Sequence, residues 1–220
     1  MNNFITKKFC VLSAVYAGVL LISNILANKI IMPFGYVLPC AVILFPLVYV
    51  LSDLMTEVYG LRLSKIAITT NAILNLFMSV IFIIAVNIPS APFFDATAFN
   101  AVLGSTPRMV IASLISYYLG DMINSYSLSF FKSKLEDAKI KFLGTFFFRS
   151  IISSMLGQIF DTLGFIFMAF YGTVPNSVLL TMMLCQYTVK IGYQVIIYPF
   201  MHYIVAWWKR SEGFDVVDAW

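Results

Sequence analysis

Six apolar runs, at about 9–29, 36–58, 66–88, 108–130, 149–171 and 177–208, divide the chain. Each approaches or exceeds the roughly 20 residues that carry an α-helix across a 30 Å hydrocarbon layer. Of the 220 residues, 61% are hydrophobic and 11% charged, where a soluble domain carries about 25% charged residues. The expected fold class is an all-α integral membrane protein, with six transmembrane helices in one bundle and a single membrane domain over residues 1–220. The lipid bilayer is its first expected partner.

The net charge of +4 does not point to nucleic acid, because the cations fall mostly between the apolar runs. Lys7 and Lys8 precede the first run, and Arg62 and Lys65 lie between the second and third. Lys132, Lys134, Lys139 and Lys141 separate the fourth from the fifth, and Lys209 and Arg210 follow the sixth. The alternate connections hold only Lys29 and Arg108, so the positive-inside bias places both termini in the cytoplasm. The first run resembles a signal peptide, but it is long and Ile25-Leu26-Ala27 lacks the small residue at −3 that cleavage prefers, so an uncleaved span is expected.

Cys10, Cys40 and Cys185 stand apart from one another and from the single histidine, His202. They read as free, buried thiols, and no metal or other cofactor is expected. Pro46 and Pro199 interrupt the second and sixth runs, where each frees a carbonyl one turn back and favours a kink. Loop 88–107 is the longest outer connection, segment 132–141 (KSKLEDAKIK) reads as a solvated loop, and the tail SEGFDVVDAW shows no fold of its own.

The chemistry sits in polar residues inside the runs, where a carboxylate near mid-bilayer costs roughly 2.5–3.5 kcal/mol on insertion scales. The fourth run carries Ser113, Ser116, Gly120, Asp121 and Asn124 at helical steps. The fifth carries Ser150, Ser154, Gly157, Gln158 and Asp161, and the sixth Gln186, Lys190 and Gln194. Asp121, Asp161 and Lys190 each lie about twelve residues into their runs, or about 18 Å at 1.5 Å per residue. Three ionisable groups at one depth point to a shared polar pocket, though pairing of Lys190 with one aspartate for stability alone is the competing reading. In the second run Asp53 and Glu57 share a helix face beside Thr56, and either join that pocket or mark the interface near Arg62 and Lys65. Asn71 and Asn75 suit interhelical hydrogen bonds, while Asn24 and Asn28 share a face near an outer entrance.

Two membrane aspartates suggest an intramembrane aspartyl protease. That chemistry wants a tyrosine before one aspartate and Gly-x-Gly before the other, whereas here Asp121 follows Tyr118-Leu119-Gly120 and Asp161 follows Phe160. No serine-protease or histidine-rich site appears, so no enzyme is expected. There is no G-x-x-x-x-G-K-[ST] loop either, and an ATP-driven version would need a separate ATPase module.

Five segments in series, SNILANK (23–29), SDLMTEVYG (52–60), LGDMIN (119–124), RSIISSMLGQIFDTLGF (149–165) and QYTVKIGYQVIIYP (186–199), make the chain resemble the bacterial queuosine precursor transporters, also called the vitamin uptake transporter family. The resemblance spans five of the six runs, with matching positions at Asp53, Gly120, Asp121, Asp161, Thr162, Tyr187 and Lys190. It implies import of a 7-deazaguanine (preQ0, preQ1 or queuine) across the bacterial inner membrane for tRNA modification. In helix number the family is also similar to the binding subunits of energy-coupling-factor transporters. The expected substrate contacts are Asp53, Asp121, Asn124, Gln158, Asp161, Lys190, Gln194, Asn24, Asn28, Glu57 and Tyr187. Asp161 or Asp121 would accept from the guanine-like edge, Lys190 would neutralise the other, and Phe160 or Tyr187 would stack on the ring. Carriage of another purine or vitamin, or service as the binding subunit of an ATPase system, remains open at this stage, as does homo-oligomerisation.

Overall fold

A computed structural model describes residues 5–27, 29–35, 38–104, 107–137, 146–172 and 175–218. Helix α1 (Lys7–Leu26) leads into a two-stranded hairpin, β1 (Ile30–Ile31) against β2 (Leu38–Pro39), and a 3-10 turn at Cys40–Ile43. Then come α2 (Phe45–Asn87), the short α3 (Thr97–Leu103), α4 (Pro107–Asp137), α5 (Phe146–Phe170) and α6 (Asn176–Glu212). By length and composition, three of the described helices are apolar enough to cross a membrane: α1, α2 and α5. The polar stripes of the fourth and sixth runs fall on α4 and α6.

The second run begins later than the sequence suggests. Residues 38–43 are strand and 3-10 turn, and Pro46 sits in the first turn of α2, where its missing N–H has no helical partner to lose. The expected kink at Pro46 is therefore absent, whereas Pro199 does lie inside α6. The break in α2 is at Gly60 instead, with φ 79° and ψ 169°, a region essentially reserved for glycine. Thr56 Oγ1 donates to Ser64 Oγ at 3.0 Å. Eight residues along an unbroken helix would separate them by about 12 Å, so the chain doubles back at Gly60. A Cβ added there would also lie 2.7 Å from Val216 Cγ1. Gly60→Ala is expected to cost about 1–3 kcal/mol, read as a lower unfolding midpoint in detergent.

Val216 belongs to the tail, which is docked rather than loose. Its N–H donates to the Val58 carbonyl at 3.3 Å, and Asp218 accepts from the Leu61 N–H at 2.9 Å and from Ser129 Oγ at 2.5 Å. Segment 132–141 is likewise not wholly a solvated loop. α4 continues to Asp137, and Lys132 is buried, donating to the carbonyls of Glu57 and Val216, each at 2.6 Å, and to Asp215. Residues 138–145 lie outside the described residues.

The helices are amphipathic in reverse. On α5 the buried face is Ser150, Ser154, Gly157, Gln158 and Asp161, while Ile152, Met155, Ile159, Phe160, Leu163 and Phe167 are exposed. Exposed apolar side chains also crowd the 61–87 arm and α6, among them Phe77, Ile84, Ile196 and Phe200. An apolar exterior over a polar interior is stable in lipid rather than in water. The cysteines are free, as expected, but Cys10 is exposed and the other two half-buried.

α4 and α5 meet backbone to backbone. A Cβ on Gly157 would lie 2.5 Å from the Gly120 carbonyl oxygen and 2.8 Å from Asn124 Cβ, a spacing that only a bare backbone permits. This seam brings the polar face of α4 onto that of α5.

Candidate functional site

Asp161 and Lys190 lie together. The Lys190 ammonium donates to Asp161 Oδ2 at 2.8 Å and to Thr162 Oγ1 at 3.2 Å, and stands 4.7 Å over the Phe45 ring. Both side chains are buried, so the pair is held in a low-dielectric setting where removing either partner would strand the other. Which aspartate pairs with Lys190 is thereby answered.

The pair lines a cavity of about 50 Å³. Phe45 and Phe165 supply apolar wall, while Asn24, Ser113 and Gln186 supply polar groups. The turn before α2 reaches over it through Pro39, Ala41 and Val42. Asn24 donates to Asn75 and accepts from Ser113 Oγ at 3.3 Å, so Asn75 makes the interhelical bond expected of it. Residues 88–104, for all their length, contribute nothing to the lining.

Asp53, Asn124 and Asp121 form two polar groups outside the cavity lining. Asp53 accepts from Asn124 Nδ2 at 2.6 Å, from Ser154 Oγ at 3.3 Å and from the Tyr198 hydroxyl. Asp121 accepts from Tyr16, whose hydroxyl also meets that of Tyr117. Asp121 lies outside the cavity. What separates it from Asp161 is Gly120, where a Cβ would lie 2.7 Å from both Asp161 Cβ and the Tyr49 hydroxyl. Gln158 and Gln194 are buried with no partner for either amide atom and do not line the cavity.

Glu57 belongs to neither group. It accepts from Arg149 at 2.6 Å and Lys209 at 2.7 Å, with Lys132 at 4.0 Å. Its partners are thus distant in sequence, and not the neighbouring Arg62 and Lys65. Tyr187 turns away from the cavity, half-buried, with its hydroxyl 3.5 Å from the Met155 carbonyl. Phe160 is 54% exposed. The aromatic side chains that line the cavity are Phe45 and Phe165, not Phe160 or Tyr187. Asn28 lies outside the described residues.

Sequence reasoning did not put forward Gln186 as a lining residue although it shares the stripe of Lys190, nor Phe45 and Phe165, because nothing distinguishes them among 21 phenylalanines. It also missed the tyrosine hydroxyls that serve the buried carboxylates.

Asp215 closes the Glu57 end, bonding Lys132 and, at 2.7 Å, Lys209. Partial burial pushes its carboxyl up, but the two lysines more than offset this and hold it below the usual carboxylate range. Because the folded value is the lower one, this contribution to tail docking is full above the ordinary carboxylate range. It is lost as pH falls through the lowered folded value. Acidification below that range is expected to free the tail, read as faster hydrogen exchange at the Val216 amide after correction for the intrinsic rate.

A family model described as "Putative vitamin uptake transporter" matches residues 39–204. That range contains every expected contact except Asn24 and Asn28. A protein of Bacillus subtilis (strain 168) named "Probable queuosine precursor transporter" is 22% identical over 184 residues, which is 82% of this chain and 77% of that protein. No solved structure matches. The chain belongs to the vitamin uptake transporter family and is a membrane transporter.

Proposed function

We propose that this transporter is a bacterial inner-membrane importer of queuosine precursors, the 7-deazaguanines preQ0, preQ1 or queuine, supplied for tRNA modification. The observation that carries the reading is the buried Asp161–Lys190 pair in a cavity also lined by Phe45 and Phe165. A deazaguanine offers N1–H and its exocyclic amine side by side, and one carboxylate accepts both. Its O6 accepts from Lys190 or the Gln186 amide, and its flat ring rests on Phe45 or Phe165. The relative's name supports the same substrate class.

In this reading residues 1–220 form one membrane domain of six spans: α1, the two arms of α2, α4, α5 and α6. The end carrying Lys8, Lys132, Arg149 and Lys209 faces the cytoplasm with both termini. The cavity then faces outward, and the Glu57 cluster with the docked tail closes the inner end. At about 10–15 Å³ per water, 50 Å³ holds roughly three to five waters.

The test is queuosine in the tRNA of a strain that makes no precursor, with and without this protein, fed each of the three compounds at low concentration. Restoration by at least one is expected, and restoration by none overturns the substrate class.

A further inference from the structure

Two facing rows of polar side chains run from the cavity towards the Glu57 end. On α5 they are Asp161, Gln158 and Ser154; on α6 they are Lys190, Gln194 and Tyr198, each row at three- or four-residue steps. The outer rung is the Asp161–Lys190 pair, and the inner rung is Ser154 and Tyr198, whose hydroxyls are 3.0 Å apart. Between these rungs Gln158 is 0% and Gln194 1% exposed, and none of their four amide atoms has a protein partner. Four unpartnered amide atoms buried between two polar rungs are the partners an ordered water needs, and they lie between cavity and interior.

This middle rung leads to Asp53. This carboxylate is fully buried, and its hydrogen bonds come from neutral groups: Asn124, Ser154 and Tyr198. Among the described residues no cation pairs with it. Lys190 pairs with Asp161, while Arg149, Lys132 and Lys209 serve Glu57 and Asp215. The ionisable groups around it are Asp121 on α4, Tyr198 on α6, and Tyr49 and Glu57 one turn either way on α2. α5 meets it with Ser154, with Arg149 turned to Glu57 and Asp161 two turns further along. A buried carboxylate without a counter-ion is stabilised by changing its protonation state rather than by forming an ion pair.

We propose that Asp53 is the proton-binding site of this transporter. It is loaded from the cavity through water held on Gln158 and Gln194 and discharged towards the Glu57 cluster, so that a proton gradient drives uptake. One carboxylate oxygen gains a proton from the outer side and gives one up to the inner side. No other bond changes. The proton site itself is independent of which solute is carried; its coupling to a deazaguanine rests on the importer reading above.

The experiment uses the purified full chain in proteoliposomes with labelled preQ0, an uncharged substrate, and an acid-outside gradient. Wild-type protein is expected to accumulate preQ0 about tenfold per pH unit, the ratio that one proton per substrate supports. Asp53→Asn is expected to show no accumulation and a flux that ignores the gradient. Wild-type equilibration without accumulation, or accumulation by Asp53→Asn, overturns the proposal. In parallel, infrared pH-difference spectra of substrate-free protein should show a carboxylic-acid C=O band that Asp53→Asn removes and Tyr198→Phe, which keeps the acid, shifts. If none of the deazaguanines moves under any condition, the substrate reading fails. The infrared band then judges Asp53 by itself, and its absence overturns the proton site.

Discussion

Asp161→Asn is expected, on the importer reading, to reduce precursor uptake by roughly a hundredfold. Two charge-assisted hydrogen bonds to a base edge are worth about 1.5–3 kcal/mol each, and about 1.4 kcal/mol is a factor of ten in affinity. An amide keeps one acceptor and adds a donor facing the donors of the base. The same change strands the Lys190 ammonium in a buried setting, where breaking a pair costs about 3–5 kcal/mol. Loss of uptake therefore has two sources, binding and folding. The double variant Asp161→Asn/Lys190→Gln separates them, because it removes both charges together. Its unfolding midpoint in detergent should return towards wild type while uptake stays low. A double variant that transports normally would show that the pair is structural and that the substrate is read elsewhere.

Gly157→Val is expected to give no correctly folded protein. The first carbon of the new side chain would already lie 2.5 Å from a backbone carbonyl oxygen of α4, and a carbonyl inside a helix has no rotamer through which to move away. The helices must separate, and overpacking of this kind costs about 1–3 kcal/mol or more. Separation also pulls Asn124 and Ser154 off Asp53, leaving a carboxylate without its donors. Gly192→Ala is the matched control, since its Cβ meets nothing within 4 Å. Size-exclusion profiles in detergent should be monodisperse for Gly192→Ala and aggregated for Gly157→Val. A monodisperse Gly157→Val would mean that the seam is looser than the backbone spacing implies.

The same contacts explain what could be read from the residues alone. The stripes on α4, α5 and α6 were legible because three- and four-residue spacing is a local property, and Asp161 and Lys190 stood out because charge is costly in an apolar run. The doubling-back at Gly60 was not legible. One glycine inside a long apolar stretch carries no sign of its φ, and its Cβ clash is with Val216, distant in sequence. For Glu57 the residues alone offered the shared pocket or contact with nearby Arg62 and Lys65, yet its partners are 92 and 152 residues further on. The tyrosines were hidden for a different reason. Tyr16, Tyr117 and Tyr198 fit an apolar pattern through their rings, and only packing shows that their hydroxyls face carboxylates.

The loopless turn at Gly60 also bears on how the chain is made. A single residue joins the two arms of α2, so in the six-span reading they enter the bilayer together as a helical hairpin, and the apolar longer arm carries in the shorter one with Asp53 and Glu57. At about 5–20 residues per second, Lys209 leaves the ribosome roughly 8–30 s after Glu57, given their separation of 152 residues. For that interval the carboxylate waits without its last partner. The contacts of Lys209 and Val216 with the α2 hairpin therefore form late, and nascent chains exposed only to residue 208 should be degraded faster than those exposed through residue 218.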